Sequence, residues 1–272
     1  MLPHKLLTTI AVAALATGAV AGCATTTTST HPAAASQQNP LTQLVSDVTG
    51  SLQKAASSTG TVTSVDLSMT GTSGGVRITG TGAIAFQPLK ADLNVVAGTT
   101  GTTTVRIVDS VIYVKLPAAQ QSRMMGKTWL KLSAASSSLF GSASRQLQDV
   151  NPVDQVKTLL ASGSAVAVGQ ETINGVPTVH YRATTSVDTA LKQVDPKLRD
   201  LVKSAYDKAG VKEITTEIWI DAQYRPHRAH VLAGTLTDLT VDYRDFNKPV
   251  TVSAPPANDT LDLSHALPGL GA

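Results

Sequence analysis

The sequence holds a single thiol, and its setting points to one kind of chemistry. Cys23 ends the run Val20-Ala21-Gly22-Cys23, behind a basic start at Lys5 and an apolar stretch of about 15 residues from Leu6. The small Ala21 and Gly22 let the segment lie extended in a peptidase site, and the thiol after them takes up a diacylglyceryl group before the peptide bond in front of it is cut. Residues 1–22 therefore read as a bacterial lipoprotein signal peptide ending in a lipobox, and Cys23 as lipid attachment point and mature N-terminus. An ordinary secretory signal with a chance cysteine is the competing reading, but the residue occurs nowhere else in 272 positions. About 20 apolar residues are needed to span a bilayer, so an anchor is expected in place of a span. Acyl chains contributing about 0.8 kcal/mol per buried methylene would hold the protein at the extracytoplasmic face of the cell membrane.

Other groupings look reactive and lose that reading in context. Gly71-Thr72-Ser73-Gly74-Gly75 has the Gly-x-Ser-x-Gly spacing of a nucleophile elbow, which needs a helix after it; a strand pattern follows, so a hairpin is expected. His227 and His230, three apart in an extended segment, point to opposite faces and lack a third ligand nearby, and they read as solvated strand histidines. Gly80-Thr81-Gly82 lacks the later glycine and following helix of a dinucleotide fingerprint. Glu213 and Glu217 share a strand face with Thr215 between them, and read as a solvated edge, not a catalytic pair. No catalytic residue, metal site or cofactor is expected, and the chain does not read as an enzyme.

The elements around these residues are β-rich. With 22 basic against 19 acidic residues and no Lys/Arg run interleaved with aromatics, a nucleic-acid partner is not expected. Residues 23–39 form a Thr/Ser/Ala tether too polar to fold, residues 40–264 one domain, and residues 265–272 a tail. Asn39-Pro40 supplies a helix start, with Leu41, Leu44, Val45, Val48 and Leu52 at helical spacing. Period-two alternation then runs through Val65, Leu67 and Met69, and through Val76, Ile78, Ile84 and Phe86, where Gly80 and Gly82 read as a bend with space over the middle of the sheet. Leu93 and Val95 continue the pattern. Asn151-Pro152 caps a second helix, and Val187, Leu191, Val194, Leu198 and Leu201 trace another, interrupted at Asp195-Pro196. The expected fold class is α+β: a large antiparallel sheet with helices on one side.

Toward the C-terminus stand Glu217-Ile218-Trp219-Ile220-Asp221-Ala222, Arg225-Pro226, and Val241-Asp242-Tyr243-Arg244-Asp245-Phe246-Asn247-Lys248-Pro249. Together with the lipobox, the tether, Lys127-Thr128-Trp129 and Asn174-Gly175-Val176, their order resembles the LppX/LprAFG family of actinobacterial lipoproteins. The resemblance implies a strongly bent antiparallel sheet, a half-barrel, with helices packed on its concave side and an apolar cavity between them that takes the acyl chains of envelope lipids or lipoglycans.

The function expected is a membrane-anchored carrier that binds acylated lipid or lipoglycan and carries or presents it across the envelope without covalent catalysis. The lipid-binding candidates are Val65, Leu67, Met69, Val76, Ile78, Ile84, Phe86, Leu93 and Val95 from the strands, with Leu191, Val194, Leu198 and Leu201 from the helices. The same residues would equally build a packed core. The expected partners are the lipid, the membrane through Cys23 and a membrane transporter, with the protein itself monomeric. The alternative is a structural or interaction module with a solid core that binds protein or cell wall.

Overall fold

A computed structural model of the chain describes residues 40–57, 62–121, 126–133, 150–193 and 199–263. Cys23, the tether, Val194, Leu198 and Asp195-Pro196 lie outside the described residues. Twelve strands form one open sheet in the order β12-β6-β5-β4-β3-β2-β1-β11-β10-β9-β8-β7. In chain order they are β1 Ser64–Ser73, β2 Val76–Phe86, β3 Leu89–Ala97, β4 Thr102–Val108, β5 Val111–Lys115, β6 Trp129–Ser133, β7 Val166–Ile173, β8 Val176–Ser186, β9 Glu213–Asp221, β10 Pro226–Ala233, β11 Thr237–Arg244 and β12 Thr260–Asp262. Two antiparallel runs of strands in chain order, β1–β6 and β7–β11, join where β1 pairs with β11.

The sheet is mixed, which corrects the expectation of a wholly antiparallel one. β12 pairs in parallel with β6. Its segment returns from β11 through a crossing rich in proline (Pro249, Pro255, Pro256), and such a crossover, unlike a hairpin, permits parallel pairing. Lys131 and Asp262 fasten this edge at 2.7 Å.

Strand register gives the sheet two unlike faces, because alternate side chains point to opposite sides. Val65, Leu67, Ile84, Ala91, Leu93, Ile107, Ile112, Ala229, Val241 and Tyr243 form one buried cluster on the apolar face, and Val153 packs on them. The helices cover the neighbouring part of this face. Helices α1 (Pro40–Ser46) and α2 (Val48–Ser57) arise where one continuous helix was expected. The break falls at Asp47, whose side chain accepts the Gly50 amide at 2.9 Å. A one-turn helix α3 (Ala118–Gln121) follows β5, and helix α4 (Pro152–Ala161) crosses the sheet. Asn151 caps α4 by accepting the Val153 amide at 2.9 Å, ahead of Pro152 in the first turn. Leu41, Leu44, Leu52, Val156 and Leu159 then meet Val179, Tyr181, Ile218 and Ile220 in a second buried cluster. The Tyr181 hydroxyl donates to the Leu44 carbonyl at 2.8 Å, and burial pushes its pKa to about 12. Helix α5 (Val187–Ala190) continues as a 3-10 turn Leu191–Gln193, and helix α6 (Arg199–Lys208) leads into β9. Val187, Leu191, Val211 and Ala233 close a third cluster there.

Candidate functional site

A cavity of about 550 Å³ opens between the sheet and helices α4, α5 and α6. Ala183 and Thr185 of β8, Ile214 and Thr216 of β9 and Val231 of β10 form its floor. Leu159 and Ala161 of α4, Ala190 of α5 and Tyr206 of α6 contribute walls. Small side chains at Ala161, Ala183 and Ala190 create the space, since larger residues there would bridge helix and sheet. Asp154 and Lys157, paired at 2.7 Å and exposed, stand at its edge. The volume lies within the range of about 300–1,000 Å³ common to small-molecule pockets. Burial raises the Tyr206 pKa, so its phenol stays neutral near neutral pH.

The expected strand residues lie elsewhere on the apolar face. Val65, Leu67, Ile84 and Leu93 are 0–5 % exposed in the first cluster, with Met69 and Phe86 packed against it. Ile78 and Val95 are half-buried, while Val76 is 45 % exposed at the β1–β2 turn. Leu191 is buried beside Ala190 of the cavity wall, and Leu201 is 70 % exposed on α6. The cavity floor was missed because Ala183, Thr185 and Thr216 are small or polar and give no hydrophobic signal. Gly82 does not mark open space: a Cβ there would meet the Asp92 carbonyl oxygen at 2.2 Å and the Leu93 side chain at 2.7 Å. Close packing against β3 is the reason for glycine at that position.

The opposite face carries a continuous ionic network. Glu171 Oε1 lies 2.9 Å from His180 Nδ1, and His180 Nε2 3.2 Å from Glu217 Oε1. Glu217 Oε2 lies 2.7 Å from His230 Nδ1, and His230 Nε2 2.9 Å from Asp238 Oδ1. Arg182 donates to Glu217 at 2.6 Å, Arg228 grips Asp242 with two bonds of 2.5 and 2.8 Å, and Trp219 Nε1 donates to Glu171 at 2.9 Å. Trp219 stacks on His180 with centroids 4.1 Å apart. The Trp219 hydrogen bond holds the Glu171 carboxyl below its ordinary range. Burial pushes the Glu217 carboxyl up, but hydrogen bonds from His230 and Arg182 outweigh it and leave the pKa lowered.

Glu217 therefore does not sit on a solvated edge, because β9 is flanked by β8 and β10. The histidines are not solvated either. His227 is 7 % exposed and bonds Asp221 at 2.8 Å, which the irregular register between Pro226 and Arg228 allows. Asp221 also accepts the Gln223 and Arg225 amides at 2.8 and 2.9 Å, closing the β9–β10 turn. The Gly71–Gly75 segment is a hairpin turn between β1 and β2, as expected. Among the described residues, no group of three or more His, Cys, Asp or Glu is placed to hold a metal ion, and no helix is long and apolar enough to cross a membrane.

Comparison with known proteins agrees with this architecture. The chain is 31 % identical over 214 residues to an uncharacterized 31.2 kDa Streptomyces griseus protein encoded between rplA and rplJ, an alignment covering 74 % of this chain and 68 % of that protein. Its fold is similar to the crystal structure of the Mycobacterium tuberculosis lipoprotein LppX, with a TM-score of 0.51 at 17 % identity, over 76 % of this chain and 99 % of the other. LprF from Mycobacterium bovis gives a TM-score of 0.51 at 14 % identity, over 77 % and 97 % of the two chains. The sequence model of the LppX_LprAFG lipoprotein family matches residues 47–252, and the chain belongs to that family.

Proposed function

We propose that the protein is a membrane-anchored lipid carrier: Cys23 bears acyl chains at the extracytoplasmic face of the cell membrane, and the folded domain binds an acylated lipid or lipoglycan between its sheet and helices. The cavity of about 550 Å³ carries this reading. Its apolar walls would bury acyl methylenes, each worth about 0.8 kcal/mol. On this reading the apolar face curves as a half-barrel around the ligand. The strand residues Met69, Ile78 and Val95, half-buried on the same face, would extend the site beyond the cavity, alongside Leu191, Val194 and Leu198. Binding and release without covalent chemistry suit a carrier that acts as a monomer and exchanges its ligand with a membrane transporter.

Narrowing the cavity tests the proposal. Ala190→Trp, on a half-buried wall residue, should slow uptake of pyrene-labelled phospholipid from vesicles about tenfold while changing the unfolding midpoint little. Unchanged uptake in a folded variant would remove the cavity from the account.

A further inference from the structure

Imidazoles and carboxylates alternate across five adjacent strands on the polar face: Glu171 on β7, His180 on β8, Glu217 on β9, His230 on β10 and Asp238 on β11. A carboxylate only accepts hydrogen bonds, so an imidazole facing one at each nitrogen donates to both only when doubly protonated. The other charges along the row are Arg182 on β8, Arg228 on β10, and Asp242 and Arg244 on β11. Around His230, the carboxylates of Glu217 on β9 and Asp238 on β11 are met by the Arg182 guanidinium, and a protonated His230 adds a second positive charge between them. Without its second proton, the His230 ring turns a lone pair toward one of these two carboxylates.

This row is wired to the cavity by strand geometry. Side chains alternate between faces along a strand, and three floor residues of the cavity adjoin members of the row: Ala183 follows Arg182, Thr216 precedes Glu217, and Val231 follows His230. We propose that the row is a proton-operated latch on the cavity floor, in which protonated His230, bonded to Glu217 and Asp238 on the strands to either side, holds β9 and β10 at the spacing that shapes the cavity and its deprotonation loosens it. The release of bound lipid on deprotonation rests on the carrier reading above; the loosening itself does not.

Burial pushes the His230 imidazole down, but hydrogen bonds to Glu217 and Asp238, and their charges, outweigh it and raise its pKa above the ordinary 6.5. A raised folded value means the stabilisation is complete below 6.5 and is lost as the pH climbs through the folded value. The latch is closed in mild acid and opens on the alkaline side.

Amide hydrogen exchange of the full chain in proteoliposomes, corrected for intrinsic rates and compared between about pH 5.5 and about pH 8, reads the latch directly. Peptides covering β9 and β10 should lose protection at the higher pH. The step should vanish in His230→Gln, which keeps a donor and cannot titrate, and shrink in Asp238→Asn, a gentler change at a side chain 65 % exposed. In parallel, release of pyrene-labelled phosphatidylcholine, whose headgroup charge is constant across this range, should accelerate about fivefold or more at the higher pH in the parent protein alone. A protection step of the same size in both variants, or no step in the parent, overturns the latch. A step that follows His230 in a protein that takes up no lipid would uphold the latch and defeat the carrier reading instead.

Discussion

At the scale of single residues, two buried polar groups have opposite accounts. The Asp221 carboxylate is 1 % exposed and receives bonds from two backbone amides, Arg225 and His227. Burial pushes its pKa up, but these donors leave it below the ordinary 3.8. Asp221→Ala should cost about 3 kcal/mol or more in urea unfolding, because the Arg225 guanidinium loses its counter-charge and two amides and an imidazole lose their partner in a buried turn. By the sign of that shift, the contribution of Asp221 is intact above 3.8 and lost as the pH falls through the lower folded value. Tyr243 is the converse: its hydroxyl is buried with no hydrogen-bond partner among the described residues. Tyr243→Phe should therefore be neutral or raise the melting temperature, since it removes an unsatisfied group; clear destabilisation would show that the hydroxyl has a partner. The alternation in Glu217-Ile218-Trp219-Ile220-Asp221 places Ile218 and Ile220 on one face, and both are fully buried. The partners of Glu217 and Trp219 were illegible, because His230, Arg182, His180 and Glu171 lie 13 to 48 positions away and meet them only through strand order.

At the scale of elements, local chemistry was the more legible part. The Asn151-Pro152 cap of α4, the β1–β2 hairpin and the strand alternation follow from side-chain periods and backbone preferences. What failed depended on neighbours: one expected helix divides at Asp47, and β12 reaches β6 through a crossover that no local pattern specifies. The glycines of β2 and β7 offer a direct check on packing. Gly82→Ala should destabilise by about 1–3 kcal/mol, as its new methyl collides with β3. Gly169→Ala, at an edge-strand position with no atom within 4 Å, should stay within about 0.5 kcal/mol of the parent. Equal effects in denaturant titrations would mean that contact with β3 does not determine the choice of glycine at Gly82.

At the scale of the whole molecule, the sheet separates two tasks, with packed apolar side chains and a cavity on one face and a charged network on the other. The family was legible from the order of weak motifs, because those motifs include turn and network residues such as Asp221, Arg225 and Asp242. The cavity was not, since its floor of Ala183, Thr185 and Thr216 reads as an ordinary polar-to-small alternation until the helices are placed over it. Anchoring is separable from carrying: Cys23→Ala should shift the protein from membrane to medium, as seen by fractionation, while leaving the fold unchanged. The central claim, that the domain holds an acylated lipid between sheet and helices, is tested most directly by native mass spectrometry of the Cys23→Ala protein released from its own cells. The account predicts an added mass that dissociates as an acylated lipid and is diminished in the Cys23→Ala, Ala190→Trp double variant; a folded protein that carries no lipid, or carries it equally with the cavity blocked, would contradict it.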